Sequence, residues 1–273
     1  MNLLVFKLTL TPLAVGLATL VGRRWGPSFG GWIAGIPFTS TPVVIFITLD
    51  HGVDFGSLTA AGILAGTASQ AAFTFAYSVA AQRVRWYPCL AVAVMAFAGV
   101  TVGLNGLEPL PVQGLEIAVG AIALGLALMP RSRAIEPEPE ARLLPVRYDV
   151  AARAVVATAF VVVLTALSAR LGPTLAGLLS PFPLFASVLI VFPHRLQGRS
   201  AAISACRGFL WGLFASATFA FVLAQLLPNV GLAASIVISI VCALVVQSVT
   251  LLIVRRGSRR GAATTAAAGI TRE

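Results

Sequence analysis

The chain has 273 residues, 58% of them hydrophobic and 10% charged, with a formal net charge of +10 and a mean hydropathy of +0.95. A water-soluble domain carries roughly 25% charged residues, so this composition excludes an ordinary soluble fold and makes lipid the main solvent. A nucleic-acid partner is excluded too: apart from Lys7 every basic residue is an arginine, and most flank apolar runs instead of lining one amphipathic face, as membrane topology requires.

Crossing hydrocarbon takes about 20 apolar residues. Runs of that kind occupy residues 3–21, 29–49, 56–81, 87–104, 111–129, 149–169, 174–193, 201–227 and 230–254. The first lacks a preceding basic region and a following small-residue cleavage site, so it reads as an uncleaved helix and not as a signal peptide. Gly26-Pro27, Glu108-Pro109, Gly172-Pro173 and Pro228-Asn229 interrupt the apolar pattern with turn chemistry. The expected fold is an all-α membrane protein of about nine spans. A first half covers residues 1–130, a polar cytoplasmic connector 131–147, a second half 148–256, and an Ala/Thr-rich tail, 257–273, reads as disordered.

Orientation follows from the arginines. Arg23 and Arg24 follow span one, Arg83 and Arg85 span three, and Arg131, Arg133, Arg142 and Arg147 span five. Arg195 and Arg199 follow span seven, and Arg255, Arg256, Arg259 and Arg260 span nine. The alternate connections carry Arg170 as their one basic residue. The positive-inside rule then places the N-terminus outside and the C-terminus in the cytoplasm.

Shifting the chain by 146 positions lays Arg24, Gly26 and Pro27 on Arg170, Gly172 and Pro173 without a gap. The same shift pairs Gly31 with Gly177, Pro37 with Pro183, Gly52 with Gly198, and Gly62 and Gly66 with Gly208 and Gly212. Matches at Gly, Pro and Arg weigh more than matches at Ala or Leu, because glycine and proline fix backbone geometry. With span five as the odd helix, spans one to four and six to nine form two repeats of opposite topology (4 + 1 + 4), an arrangement common in secondary transporters.

The chemistry concentrates in spans two and seven. Span two holds Pro37, Thr39, Ser40 and Thr41; its partner holds Ser180, Pro183 and Ser187. Prolines about 12 Å into a span, at 1.5 Å per residue, free backbone carbonyls at mid-depth, and these need protein or a water-filled cavity to receive them. Matched interrupted spans point to a transporter binding site. The hydroxyls either contact a solute or satisfy the broken backbone. Arg207, two turns into span eight, would favour an anionic group; Glu116, in span five, is the candidate coupling acid. Lys7 and Arg153 sit close enough to span ends to snorkel. Glycine pairs 62/66, 99/103 and 208/212 predict close helix approach.

Asp50, His51 and Asp54 read as a solvated outer loop. Cys89, Cys206 and Cys242 lie in apolar runs, are odd in number and form no C-x-x-C, so neither a disulfide frame nor a zinc site is expected. No metal-ligand spacing, nucleophile–base pair or P-loop occurs, so an enzyme and a resident cofactor are not expected. The segment Gly30-Gly-Trp-Ile-Ala-Gly-Ile-Pro-Phe-Thr-Ser-Thr-Pro42 resembles a core stretch of uncharacterised bacterial multipass inner-membrane proteins. That resemblance implies an inner-membrane location. The expected function is a small secondary transporter or permease for a small polar or anionic solute, compatible with a homodimer. The alternative is a non-transporting membrane subunit or scaffold of a larger complex.

Overall fold

The computed structural model describes residues 3–37, 40–105, 111–130, 148–159 and 182–270. Thr39, Ser180, Arg170 and the whole connector 131–147 lie outside these residues. Among the described residues every regular element is a helix: α1 Leu3–Trp25, α2 Pro27–Ala34, α3 Ser40–His51, α4 Val53–Ala80, α5 Trp86–Asn105, α6 Pro111–Leu128, α7 148–159, α8 Leu184–Gln197, α9 Arg199–Val230 and α10 Leu232–Ile270. Among the described residues four stretches are long and apolar enough to cross a membrane: Trp86–Leu104 of α5, all of α6, all of α9, and Leu232–Leu252 of α10. α10 continues as helix to Ile270, through the alanine-rich stretch that composition alone reads as a disordered tail. Alanine has the highest helix propensity, which favours that continuation.

The side chains are arranged inside out relative to a soluble protein. Large apolar residues such as Met95, Leu58 and Leu13 are exposed, whereas Thr67, Ser69, Thr74 and Ser78 of α4 and Ser235 and Ser239 of α10 are buried. These hydroxyls donate back to carbonyls three or four residues earlier, as Thr74 Oγ1 does to Gln70 at 2.7 Å and Ser239 Oγ to Ser235 at 2.7 Å. The hydroxyl's own hydrogen bond is thereby met inside the helix. Such a surface suits lipid and not water.

The most buried helix is α9, which packs on α2, α4, α6, α8 and α10. It runs antiparallel to α4. Ser57 Oγ, near the start of α4, donates to the Ala224 carbonyl late in α9 at 2.9 Å, and Arg199 Nη1 at the start of α9 donates to the Gln82 carbonyl just past α4 at 3.0 Å. Both helices are entered through one glycine in the left-handed region, Gly52 (φ 91°) before α4 and Gly198 (φ 87°) before α9. A side chain there would be strained, so a single glycine can turn α3 into α4 and α8 into α9.

Along its first half α9 lies parallel to α2 with the backbones touching. A Cβ on Gly31 would collide with the Ala205 carbonyl, one on Gly35 with the backbone of Gly212, one on Gly208 with the Ser28 carbonyl, and one on Gly212 with the Trp32 carbonyl. Ser28 Oγ adds a 3.0 Å bond to the Ser204 carbonyl. The pair Gly208/Gly212 thus does what its spacing predicts. Gly62, Gly99 and Gly103 do not, since no atom of the described residues lies within 4 Å of where their Cβ would be. Spacing identifies a groove on a helix but not which grooves a neighbour fills.

A contrast follows. Gly31→Leu or Gly212→Leu should prevent α2 from seating and cost more than the roughly 1–3 kcal/mol typical of overpacking, because backbone blocks the space. Gly62→Ala and Gly99→Ala should leave the protein unchanged. Fluorescence-detected size-exclusion chromatography with a thermal ramp checks both: lost monodispersity for the first two, a wild-type profile for the last two.

Candidate functional site

Helix does not run unbroken through the apolar run 29–49. α2 ends at Ala34, and α3 begins at Ser40. The end of α2 tightens into three-residue turns, with Gly35 N donating to the Trp32 carbonyl at 3.3 Å and Ile36 N to the Ile33 carbonyl at 3.1 Å. Pro37 is buried. Its carbonyl accepts from Thr41 N at 3.2 Å and from Thr41 Oγ1 at 2.8 Å. Pro183 caps α8 in the same way. Its carbonyl accepts from Ser187 N at 2.8 Å and from Ser187 Oγ at 2.9 Å. Both hydroxyls therefore serve the broken backbone, the second of the two roles open to them from sequence. Phe182 beside Pro183 meets Phe73 of α4 and Phe97 of α5 edge-on, at centroid distances of 6.3 and 5.5 Å.

The end of α2 lies partway along α9. Gly35 lies against Gly212, the fourteenth residue of α9, about 20 Å along a helix that rises 1.5 Å per residue. From α10, Gln247 Nε2 donates to the Trp32 carbonyl at 3.0 Å, while Trp32 Nε1 donates to Thr250 Oγ1 at 3.0 Å. Gln247 Oε1 is buried without a hydrogen-bond partner among the described residues. Because a carbonyl accepts only from the nitrogen, the amide cannot be flipped to relieve this. Charge within the spans does not point to Gln247, which is neutral. It is the one amide in the last apolar run, and that was the available signal.

Other expected participants stand elsewhere. Arg207 Nη2 donates to the Pro130 carbonyl at 3.1 Å, which ties α9 to the end of α6; it precedes Gly212, which meets Gly35, by about one and a half turns of α9. Glu116 is exposed on α6 and faces away from the helix core. Ser40 opens α3. Asp50 and His51 end α3 and Asp54 lies in the first turn of α4; all three are exposed, but on helix ends and not in a loop.

Two polar clusters were not foreseen. Arg153 does not snorkel: its side chain is 4% exposed and that of Asp149 is 1% exposed. Arg153 Nε and Nη2 donate to the two oxygens of Asp149 at 2.8 and 3.1 Å, and Arg23 Nη1 of α1 donates to the same carboxylate at 3.0 Å. The Arg153 guanidinium also stands 5.0 Å over the Phe192 ring. The i, i+4 spacing of Asp149 and Arg153 was the visible signal. The second cluster is Tyr77 Oη and His194 Nδ1, 3.0 Å apart in the core between α4 and α8.

Two cavities bordered by described residues bear on this. One, of about 220 Å³, is apolar and lies between α4, α5 and α6, against Phe75, Val100, Leu104 and Leu124. The other, of about 10 Å³, lies beside Arg23 and Arg153. Neither is lined by Pro37 or Pro183.

If the hydroxyls are backbone staples, Thr41→Val and Ser187→Ala should each lower stability by about 1 kcal/mol, the net value of a typical hydrogen bond. Thr59→Val, on the exposed side of α4, should cost less. Thermal unfolding of the purified variants in one detergent reads the three together. Comparison of the chain with known protein families, curated proteins and solved structures returned no match.

Proposed function

We propose that the chain is a small secondary transporter of a small polar or anionic solute, working by alternating access between two inverted repeats. The observation that carries this reading is the pairing of Pro37–Thr41 with Pro183–Ser187. Each proline heads a helix, each proline carbonyl takes the hydroxyl four residues on, and the two sites are 146 positions apart.

The same offset links the bounds of the helices. Adding 146 to the first residues of α4 and α5 gives the first residues of α9 and α10, and Gly52 and Gly198 share one backbone conformation. Two equivalent helices lying antiparallel side by side, as α4 and α9 do, are related by a twofold axis across their length. An axis lying in the membrane plane would do this for helices that cross it. In this reading nine spans cross a bacterial inner membrane, the N-terminus is outside, and the C-terminus is cytoplasmic. The solute site lies between the breaks of spans two and seven, with Thr39, Ser40 and Ser180 around it. Discontinuous helices near mid-depth are the usual location of such sites. Glu116 is not retained as the coupling acid, because it faces outward.

The second reading, a non-transporting subunit, is favoured by the engagement of Thr41 and Ser187 on proline carbonyls. A cysteine at position 39 separates the two. In a background without Cys89, Cys206 and Cys242, Thr39→Cys should react with a membrane-impermeant maleimide from at least one face of oriented vesicles. A Thr39→Cys variant that still inserts but is inert from both faces would reject the transport site and support the scaffold.

A further inference from the structure

Among the described residues two buried side-chain polar atoms lack a hydrogen-bond partner, Thr101 Oγ1 and Gln247 Oε1. They are 146 positions apart, the offset that pairs Pro37 with Pro183. Each is the sixteenth residue of its helix, α5 or α10, and each lies by one of the two proline-headed breaks. Gln247, 3% exposed, reaches the end of α2 through the Trp32 carbonyl. Thr101 stands one turn beyond Phe97 on α5, and the Phe97 ring meets Phe182, the residue before Pro183, edge-on at 5.5 Å. Thr67, Thr74 and Thr218 each donate to the carbonyl four residues earlier, whereas Thr101 leaves that bond unmade. An orphaned polar atom in a dry interior is costly, so two at equivalent positions point to one missing kind of partner.

We infer that Gln247 and Thr101 make the hydrogen bonds to the solute, and that the solute is an uncharged molecule bearing N–H or O–H donors, of the amide or polyol class. The inference rests on the transporter reading and narrows it. The orphaned atom of Gln247 is an acceptor, so the solute must bring the donor; the Thr101 hydroxyl can accept or donate. A halide or nitrate has no donor and would meet the negative end of the Gln247 amide. An ammonium group has donors but finds no counter-ion. The acids in the apolar runs are Glu116, which is exposed, and Asp149, which Arg23 and Arg153 already pair. Uncompensated charge inside the bilayer is expensive. Both orphaned atoms are closed off from solvent in this conformation, as the occluded stage of alternating access requires.

Cysteine chemistry in sealed vesicles tests this, in the background without Cys89, Cys206 and Cys242. Thr101→Cys and Gln247→Cys should both react with hydroxyethyl methanethiosulfonate, an uncharged probe bearing one hydroxyl. The sulfonatoethyl reagent, an anion of similar length, should react at least about tenfold more slowly, because it must bury a charge. Val102→Cys, beside Thr101 but exposed on α5, should stay inert to both. Inert Thr101→Cys and Gln247→Cys variants beside a reactive Thr39→Cys variant would overturn this inference and leave transport standing; an inert Thr39→Cys variant would remove both. Equal rates with the two reagents would overturn the solute class. Should Gln247→Cys not accumulate, a high-resolution structure of the wild type in lipid decides. A solute, or a file of water reaching one membrane face, hydrogen-bonded to Gln247 Oε1 supports the site. A single sealed water, or a donor from the chain itself such as Thr39 Oγ1, overturns it.

Discussion

In lipid no water receives a stray N–H or C=O, so every interruption of a helix must be repaired by the protein itself. The interruption after Ala34 shows how much of this molecule that requirement shapes. Proline at position 37 removes one donor and ends the α2 ladder. The chain answers with tightened turns at Gly35 and Ile36, a threonine hydroxyl on the Pro37 carbonyl, and an amide brought in from α10 onto the Trp32 carbonyl. These repairs work only if α2 lies close enough for α10 to reach it. The glycine contact with α9 provides that: Gly31, Gly35, Gly208 and Gly212 leave no side chain between the two backbones. Without a hydrophobic drive between helices in lipid, such close packing is what holds them together.

The polar groups that remain inside are nearly all paired, and pairing is local where it can be. Hydroxyls of α4 and α10 return to their own helix, whereas Arg23, Asp149 and Arg153 pair across a separation of 126 residues in sequence. Breaking a buried ion pair by removing one partner costs several kcal/mol, because it strands the other charge. The triad therefore specifies how α7 meets α1, since losing either partner strands a charge. Around it the small apolar cluster of Val15, Ala157 and Val188 joins α1, α7 and α8.

Much of this was legible in the sequence, for physical reasons that differ by residue. Pro37 and Pro183 could be read because proline acts on the backbone wherever it stands. Apolar runs gave α5, α6, α9 and the first part of α10 because length and hydropathy alone decide whether a helix can cross. Tertiary pairing could not be read. Arg153 looks free to reach the interface until α1 brings up Arg23 and α7 supplies Asp149. Gln247 is one polar residue in an apolar run until α2 ends beside it. Gly62 and Gly99 have the spacing of packing glycines, yet nothing among the described residues fills their grooves. Thr41 and Ser187 have the chemistry to bind a solute, but a nearer acceptor takes their protons.

The central claim is that the two halves are inverted copies built around the antiparallel pair α4 and α9. Val53 and Arg199 begin these helices and are equivalent under the 146-residue offset, so inversion requires them to emerge on opposite faces. Side-specific labelling of Val53→Cys and Arg199→Cys in intact cells, in a background without Cys89, Cys206 and Cys242, measures this directly. The account predicts that an impermeant maleimide modifies the Val53→Cys variant from outside and the Arg199→Cys variant only after permeabilisation. Labelling of both from the same face would contradict it.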